Sequence, residues 1–332
     1  MSGEPLVRAE NLEVTFRVDG HQVRAVDGVD IDVRGGEIHG VVGESGCGKT
    51  TLGRALLGLV PLRSGTVRID GVEITGLRGR SLRRARSRMQ MIFQSPWSSL
   101  NPRMKVGSVL AEAARAHRKL SPGDLADETG ELLELVGLPP DAVARYPSAF
   151  SGGQRQRIAI ARALAVRPAF IVADEAIASL DVSVGEQIIE LLLDLRDRLG
   201  LSYMFISHDL SVVERLSDRV TVMYLGTVVE RAAADVLFAD PAHPYTVALL
   251  AAAPGRYPQE VRRRYMLEGE PSSPIDPPPG CRFWSRCPVG PVHNPEREVC
   301  RTQAPPLIEV GDGHQVACHF PREIRLPEPA RK

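Results

Sequence analysis

The chain has 332 residues, with 41 Lys and Arg against 41 Asp and Glu, so its formal net charge is zero. That length exceeds one average domain and predicts a core with an appendage, while the charge balance argues against a general nucleic-acid or membrane-surface binder. The first ten residues carry no apolar h-region, and the apolar run at 247–253 is only seven residues long before Pro254. Neither a signal peptide nor a membrane span is therefore expected, and any transport role would need separate membrane-spanning subunits.

In chain order, residues 7–18 and 23–33 alternate apolar and polar side chains, as a half-exposed antiparallel hairpin does. Strands are expected at 37–42, 89–93, 170–173, 203–207 and 220–224, and helices at 51–59, 131–136, 154–165 and 184–199. Their alternation predicts an α/β fold with a parallel sheet. In the last of these helices Ile188, Leu191, Leu192, Leu195 and Leu199 follow helical spacing and read as core packing. The basic run Arg78, Arg80, Arg83, Arg84, Arg86 and Arg88 has no interleaved aromatics, so a solvated face is expected. No internal repeat is present. Of the 26 prolines, 15 fall in residues 254–332. This tail is expected to lack regular helix and sheet, and to be disordered or held by something other than an apolar core.

Gly43, Glu44, Ser45, Gly46, Cys47, Gly48, Lys49, Thr50 and Thr51 follow an apolar strand and open a helix, the setting of a phosphate loop. Glycines let successive backbone N–H groups face one phosphate chain, helped by the positive end of the helix. Lys49 would reach the β- and γ-phosphates of ATP, and the Thr50 hydroxyl would ligate Mg²⁺. The pattern arises by chance in about one chain of this length in a hundred, and the strand–loop–helix setting lowers that further. Cys47, beside the helix N-terminus, is expected to be a reactive thiolate; an inert side chain turned into the loop is the alternative. The apolar strand over 170–173 runs into Asp174 and Glu175, at the strand end where an open sheet carries its ligand chemistry. Asp174 suits an outer-sphere Mg²⁺ contact, and Glu175 is placed to orient or deprotonate the attacking water.

Phe150, Ser151, Gly152, Gly153 and Gln154, followed by Arg-Gln-Arg-Ile-Ala-Ile-Ala-Arg, resemble the signature of ATP-binding cassette (ABC) ATPases. Serine and two glycines opening a helix make a second phosphate-binding helix terminus; in the family it completes the ATP site of a second ATPase subunit, identical or paralogous. The remaining family elements follow in order. Gln94 is similar to the glutamine that contacts Mg²⁺ or water and signals to the membrane subunits. The Ser179-Leu180-Asp181 stretch is similar to the loop that crosses the dimer interface, and His208 to the histidine that senses the γ-phosphate. Phe16 is the candidate to stack on adenine, with a core phenylalanine as the alternative. Ala176 departs from the proline that usually follows the catalytic glutamate. The resemblance implies a phosphate-loop (RecA-like) core with an antiparallel β subdomain and a helical signature subdomain over about 100–166, the whole cassette spanning 1–238, followed by an extension over 239–332.

A narrower resemblance rests on Ser95-Pro-Trp-Ser-Ser-Leu-Asn-Pro102, on Asp240-Pro-Ala-His-Pro-Tyr-Thr-Val-Ala-Leu-Leu250 and on the cysteine-bearing tail. These are similar to the ATPases of oligopeptide and dipeptide importers. That implies a peripheral subunit on the cytoplasmic face of the membrane, coupled to two transmembrane permease subunits and fed by an external substrate-binding protein. Related importers carry glutathione or nickel. An ABC ATPase acting on DNA or ribosomes would show a coiled-coil insertion or tandem cassettes, and neither is present. A third reading makes the tail a redox or metal sensor with ATP binding as its output.

Cys281, Cys287, Cys300 and Cys318 offer four thiolates in the proline-dense tail. A metal would supply fold energy that a core cannot. The spacing lacks the close cysteine pairs of zinc knuckles and the tight ferredoxin run, yet four thiolates suit a [4Fe–4S] cluster. Zn²⁺, a mixed site with His314 or His319, and plain reduced thiols are the alternatives. Every nucleotide-contacting residue named above precedes residue 210, so the tail is expected to stand apart from the nucleotide site.

Overall fold

A computed structural model describes residues 4–95, 100–118, 120–178, 180–267, 269, 273, 275 and 277–327. Residues 96–99 of the importer-like stretch and Ser179 of the interface loop lie outside the described residues. The chain divides into two compact units, one comprising residues up to Arg8, Asp32–Glu37 and Val67–Ile206, the other Ala9–Ile31, Ile38–Thr66 and Ser207 onward.

At the centre of the first unit, strands Met89–Ile92, Phe170–Asp174 and Ser202–Ile206 lie parallel in that order. The latter two are buried along their whole length, as strands covered on both faces are, and this is why they read as continuous apolar runs. The helix Val182–Leu199 buries Ile188, Ile189, Leu191, Leu192 and Leu195. Leu199, expected in the same stripe, is 47% exposed instead, because the helix stops there on the left-handed Gly200.

Between 100 and 166 the described elements are helical: Val106–Arg115, Pro122–Leu135, short 3₁₀ turns at Pro140–Ala144 and Pro147–Ala149, and Gly152–Leu164. The helix expected at 131–136 thus starts nine residues earlier, at Pro122. Ser121 and Asp124 form a reciprocal capping box around it, with proline at the first position where its missing N–H costs nothing. The arginine-rich helix Gly79–Arg86 buries no residue, in keeping with the expected solvated face.

The expected hairpin forms from Val7–Val18 and His21–Val33, of which Ala9–Ile31 belong to the second unit. Asp19 and Gly20 join them, both left-handed at φ 49° and 83°, the two-residue turn whose twist suits a hairpin. Strand Ile38–Val42 lies parallel to Arg219–Tyr224. The chain then turns through Leu225 and Gly226 into the antiparallel strand Thr227–Ala233.

The tail corrects one expectation. Residues after 254 include a helix, Gln259–Arg264, and two strands, Ile308–Gly311 and His314–Val316. His314–Val316 pairs antiparallel with Thr227–Ala233, and Ile308–Gly311 pairs with it in turn. The prolines stand outside these strands, so they interrupt no ladder hydrogen bond. The tail also has a partly apolar seat: Phe283 is 1% exposed among Tyr224, Tyr245 and His243. Glu230, wholly buried, accepts hydrogen bonds from the backbone N–H groups of Ala242 and His243 at 2.7 and 2.9 Å, and pairs with the buried His314 at 2.7 Å. Among the described residues no helix is long and apolar enough to cross a membrane.

Candidate functional site

In the second unit the loop from Gly43 to Gly48 joins the buried strand Ile38–Val42 to the helix Lys49–Leu56. Two glycines are dictated by close approach. A Cβ at Gly43 would lie 2.2 Å from the Met223 carbonyl oxygen, and one at Gly48 2.1 Å from that of Ala25, with φ at 150° and 105°. Lys49 is buried, and its ammonium donates to the carbonyl oxygens of Gly43 and Glu44, each at 2.8 Å. Ser45 and Gly46 are exposed at the tip of the loop, and Thr50 and Thr51 begin the helix half-buried. His208 and Gly43 line one cavity of roughly 400 Å³, together with Leu249 and Pro254 from the C-terminal part of the chain. Beside His208, Asp209 caps the helix Leu210–Leu216 through the N–H groups of Ser211 and Val212. Phe16 is 38% exposed on its strand; it is not a core phenylalanine.

Cys47 overturns the expectation of a reactive thiolate. It is 3% exposed, and burial pushes its thiol up, against the lowering effect of the Lys49 ammonium. Desolvation is the largest influence on it.

In the first unit Asp174 ends its strand buried, and Glu175 follows in the left-handed region at φ 47°. A non-glycine residue there stores strain of about 1 kcal/mol or more, which the surroundings must hold. They do so from two sides. The Glu175 N–H donates to the Ile206 carbonyl at 2.9 Å, and its carboxylate accepts a 2.5 Å hydrogen bond from the Gln94 amide. Two residues singled out separately in the sequence, 81 positions apart, are thus one unit. Ala176, where a proline was expected, is buried and leaves both carboxylates in place.

Also in the first unit, Ser151 caps the helix Gly152–Leu164 in a capping box with Gln154. Ser151 and Gly152 are exposed, so this helix end faces solvent. Gly153 is buried; a Cβ there would sit 2.2 Å from a Val184 methyl. Only glycine lets this helix approach Val182–Leu199 so closely. Asp181 is exposed and accepts from the Val184 N–H at 2.9 Å, capping that second helix.

All four tail cysteines are free, with Cys287 and Cys300 buried. Burial raises every one of these thiols, to about 11 for Cys281 and about 12 for Cys287 and Cys318. Neighbouring cysteines raise Cys281, Cys287 and Cys318 further, so the sulfurs lie within electrostatic reach of one another. Backbone N–H groups point at three of them: those of Phe283 and Trp284 at Cys281, Val289 at Cys287 and Phe320 at Cys318. Nevertheless, among the described residues no three His, Cys, Asp or Glu side chains gather closely enough to hold one metal ion. The expected metal group gains no support there; of the histidines in the mixed-site alternative, His314 meets Glu230 through Nε2 and His319 meets the Gln303 carbonyl through Nε2 at 2.9 Å.

Sequence reasoning also missed Tyr245 and Arg286. The Tyr245 hydroxyl accepts from the Glu44 N–H at 2.8 Å, and Arg286 grips the Glu44 carboxylate. No local pattern signals either, because each partner lies more than 200 positions away.

Comparison with known proteins gives two family matches: "ABC transporter" over residues 26–178, and "Oligopeptide/dipeptide transporter, C-terminal region" over 229–291. A Sinorhizobium fredii protein named "Probable peptide ABC transporter ATP-binding protein y4tS" is 49% identical over 315 residues, covering 95% of this chain and 86% of its own length. A Brucella ovis protein, whose name assigns it to peptide import and ATP binding, is 45% identical over 318 residues, with 96% and 98% covered. Among solved structures, an ATP-binding cassette in a dimeric post-hydrolysis state with ADP and Pi superposes with a TM-score of 0.63 at 28% identity, covering 69% of this chain and 98% of its own. The cbiO1 protein from Clostridium perfringens, part of an ABC transporter complex, gives 0.64 at 25% identity, with 71% and 92% covered.

Proposed function

This chain belongs to the ABC transporter ATP-binding proteins, an ATP-hydrolysing family, and on that premise we propose that it is the motor subunit of a peptide importer. The observation that carries the peptide reading is the match of residues 229–291 to the C-terminal region of oligopeptide and dipeptide transporters. The names of the 45–49% identical relatives agree with it. In this reading the cassette spans 1–238 and an importer-type extension spans 239–332. The motor works as a pair with an identical or paralogous ATPase, under two permease subunits at the cytoplasmic face, with an external binding protein delivering cargo.

The proposed chemistry gives each residue a stated role. The N–H groups of Gly43–Thr51 and the Lys49 ammonium hold the triphosphate, Lys49 exchanging the Gly43 and Glu44 carbonyls for phosphate oxygens. Phe16 stacks on adenine; its exposure supports that over a packing role. Thr50, Gln94 and Asp174 each carry a hard oxygen donor of the type Mg²⁺ takes, directly or, for Asp174, through water, and each is a candidate to contact the ion that neutralises phosphate charge. Glu175 orients the attacking water and accepts its proton, with Gln94 fixing the carboxylate beforehand. His208 contacts the γ-phosphate; its place on the cavity beside Gly43 supports this. The solvent-facing helix end at Ser151, Gly152, Gly153 and Gln154 completes the ATP site of the second subunit, and Asp181 faces that partner.

Four thiols within electrostatic reach of one another, with N–H groups directed at three sulfurs, are the ligand type that a [4Fe–4S] cluster takes, with Zn²⁺ as the alternative. Iron analysis of anaerobically purified protein tests this: about four iron atoms per chain support it, and metal-free protein with four titratable thiols refutes it.

Reconstitution with the cognate permeases and binding protein in liposomes tests the function itself. ATP-dependent accumulation of di- or oligopeptides is the expected outcome. Uptake of glutathione or nickel instead would move the chain to a related cargo, and ATP hydrolysis indifferent to every solute would refute the importer reading.

A further inference from the structure

The segment from Cys281 to Cys287 lies against the phosphate loop, and two arginines fasten it there. Arg286 approaches the Glu44 carboxylate with both terminal nitrogens, at 2.9 and 3.2 Å to one and at 3.2 Å to the other. The same guanidinium donates to the Tyr224 hydroxyl at 3.3 Å. The pair is largely sheltered, with the arginine side chain 8% exposed. Four residues earlier, Arg282 bridges the Leu225 carbonyl and the Asp27 carboxylate. The next residue, Gly226, donates its N–H to the Cys47 carbonyl at 2.9 Å. One arginine therefore holds the start of the phosphate loop, and the other holds the turn that holds its end. Phe283, between them, fills the space against Tyr224 and Tyr245, whose hydroxyl already accepts the Glu44 N–H.

This arrangement has a direct electrostatic consequence. Glu44 puts a negative charge in the first turn of a loop assigned to a triphosphate of about four negative charges. A carboxylate at that place opposes the ligand unless it is neutralised, and opposition between close, sheltered charges is only partly screened by solvent. Arg286 is the residue that neutralises it. Bidentate geometry also fixes the carboxylate's direction, which a lysine could not do. Both arginines adjoin cysteines, Arg282 following Cys281 and Arg286 preceding Cys287, so displacing the cysteine segment displaces both clamps. The expectation that the tail stands apart from the nucleotide site is thereby overturned.

We propose that Arg286 is a positioning residue of the ATP site, acting through Glu44, and that it ties nucleotide affinity to the integrity of the cysteine-bearing segment. The inference rests on the assignment of Gly43–Thr51 to ATP; wild-type protein that bound no ATP would fail that assignment rather than this one.

The test uses the full-length chain, a fluorescent ATP analogue for affinity, steady-state ATPase for the division between KM and kcat, and thermal unfolding as the control of integrity. Arg286→Ala is expected to weaken analogue binding and raise KM on the order of tenfold, with kcat changed far less. Arg286→Lys is expected to fall between Arg286→Ala and wild type. The decisive variant is Arg286→Ala combined with Glu44→Gln: with the opposing charge removed, affinity is expected to return most of the way to wild type. Cys287→Ser is expected to raise KM in the native background and to do so much less in that double variant. If Arg286→Ala does not fold, Arg286→Lys and the double variant are read in the same assays. Wild-type affinity in Arg286→Ala, or a folded double variant no better than Arg286→Ala, overturns the proposal; the latter result would mean that Arg286 only braces the fold.

Discussion

Glu230 offers a sharp test of how the C-terminal extension is held. Its carboxylate has no exposure and satisfies three donors: the N–H groups of Ala242 and His243, and the ring of His314. Glu230→Ala removes the acceptor from all three at once and leaves them buried. An unsatisfied buried polar group costs about 1–3 kcal/mol, so orphaning three buried donors together costs on the order of 3–5 kcal/mol. At roughly 2–4 °C per kcal/mol for a domain of this size, the unfolding midpoint should fall on the order of 10 °C. The loss should begin locally. His314–Val316 pairs with the strand that carries Glu230, so amide exchange and proteolytic cleavage should rise first in residues 300–327. Glu230→Gln keeps one acceptor and should lose less. A midpoint within about 2 °C of wild type, or protection of 308–316 unchanged in Glu230→Ala, would refute the reasoning.

Three shorter predictions concern the site. Gln94→Ala removes the amide that fixes Glu175 and should lower kcat roughly tenfold, a normal share for one positioning hydrogen bond, while ATP binding persists; an unchanged kcat would show that the contact is incidental. Cys47 should resist iodoacetamide at pH 8 in the folded chain and label only on unfolding, because burial raises its thiol; fast native labelling, slowed by Mg-ATP, would restore the reactive reading. Gly153→Ala forces a methyl to within 2.2 Å of Val184 and should cost about 1–3 kcal/mol, as overpacking does. A Val184→Ala second change should recover part of it in thermal unfolding, and failure to recover would place the strain elsewhere.

What could be read from the sequence follows how local the signal is. The strand–loop–helix at 38–56 was legible because strand, glycines and helix follow within 20 residues, and two of its glycines, Gly43 and Gly48, are required by backbone approach. The parallel strands were legible because burial on both faces leaves continuous apolar runs, as in Phe170–Asp174. The strands Ser64–Ile69 and Val72–Glu73 were missed although Asp70-Gly71 supplies a hairpin turn with φ 52° and 73°, since their burial is broken and the second is two residues long. Ile308–Gly311 and His314–Val316 were hidden by length and by proline density: four and three residues carry no period of their own, and they exist through pairing on Thr227–Ala233. The contacts that organise the site were invisible for a different reason. Gln94 to Glu175 spans 81 positions and Glu44 to Arg286 spans 242, and no periodicity reports a meeting made by the fold.

In the proposed importer, Glu175 drives the ATP hydrolysis that peptide uptake depends on. The direct measurement is uptake of labelled peptide into liposomes holding the complete transporter, with wild-type protein and with Glu175→Gln side by side. ATP binding should be retained in the variant, hydrolysis should drop by about 10²-fold or more, and peptide accumulation should disappear with it. Glu175→Gln that hydrolyses ATP near the wild-type rate, or wild-type protein that hydrolyses ATP without moving any peptide, would contradict the account.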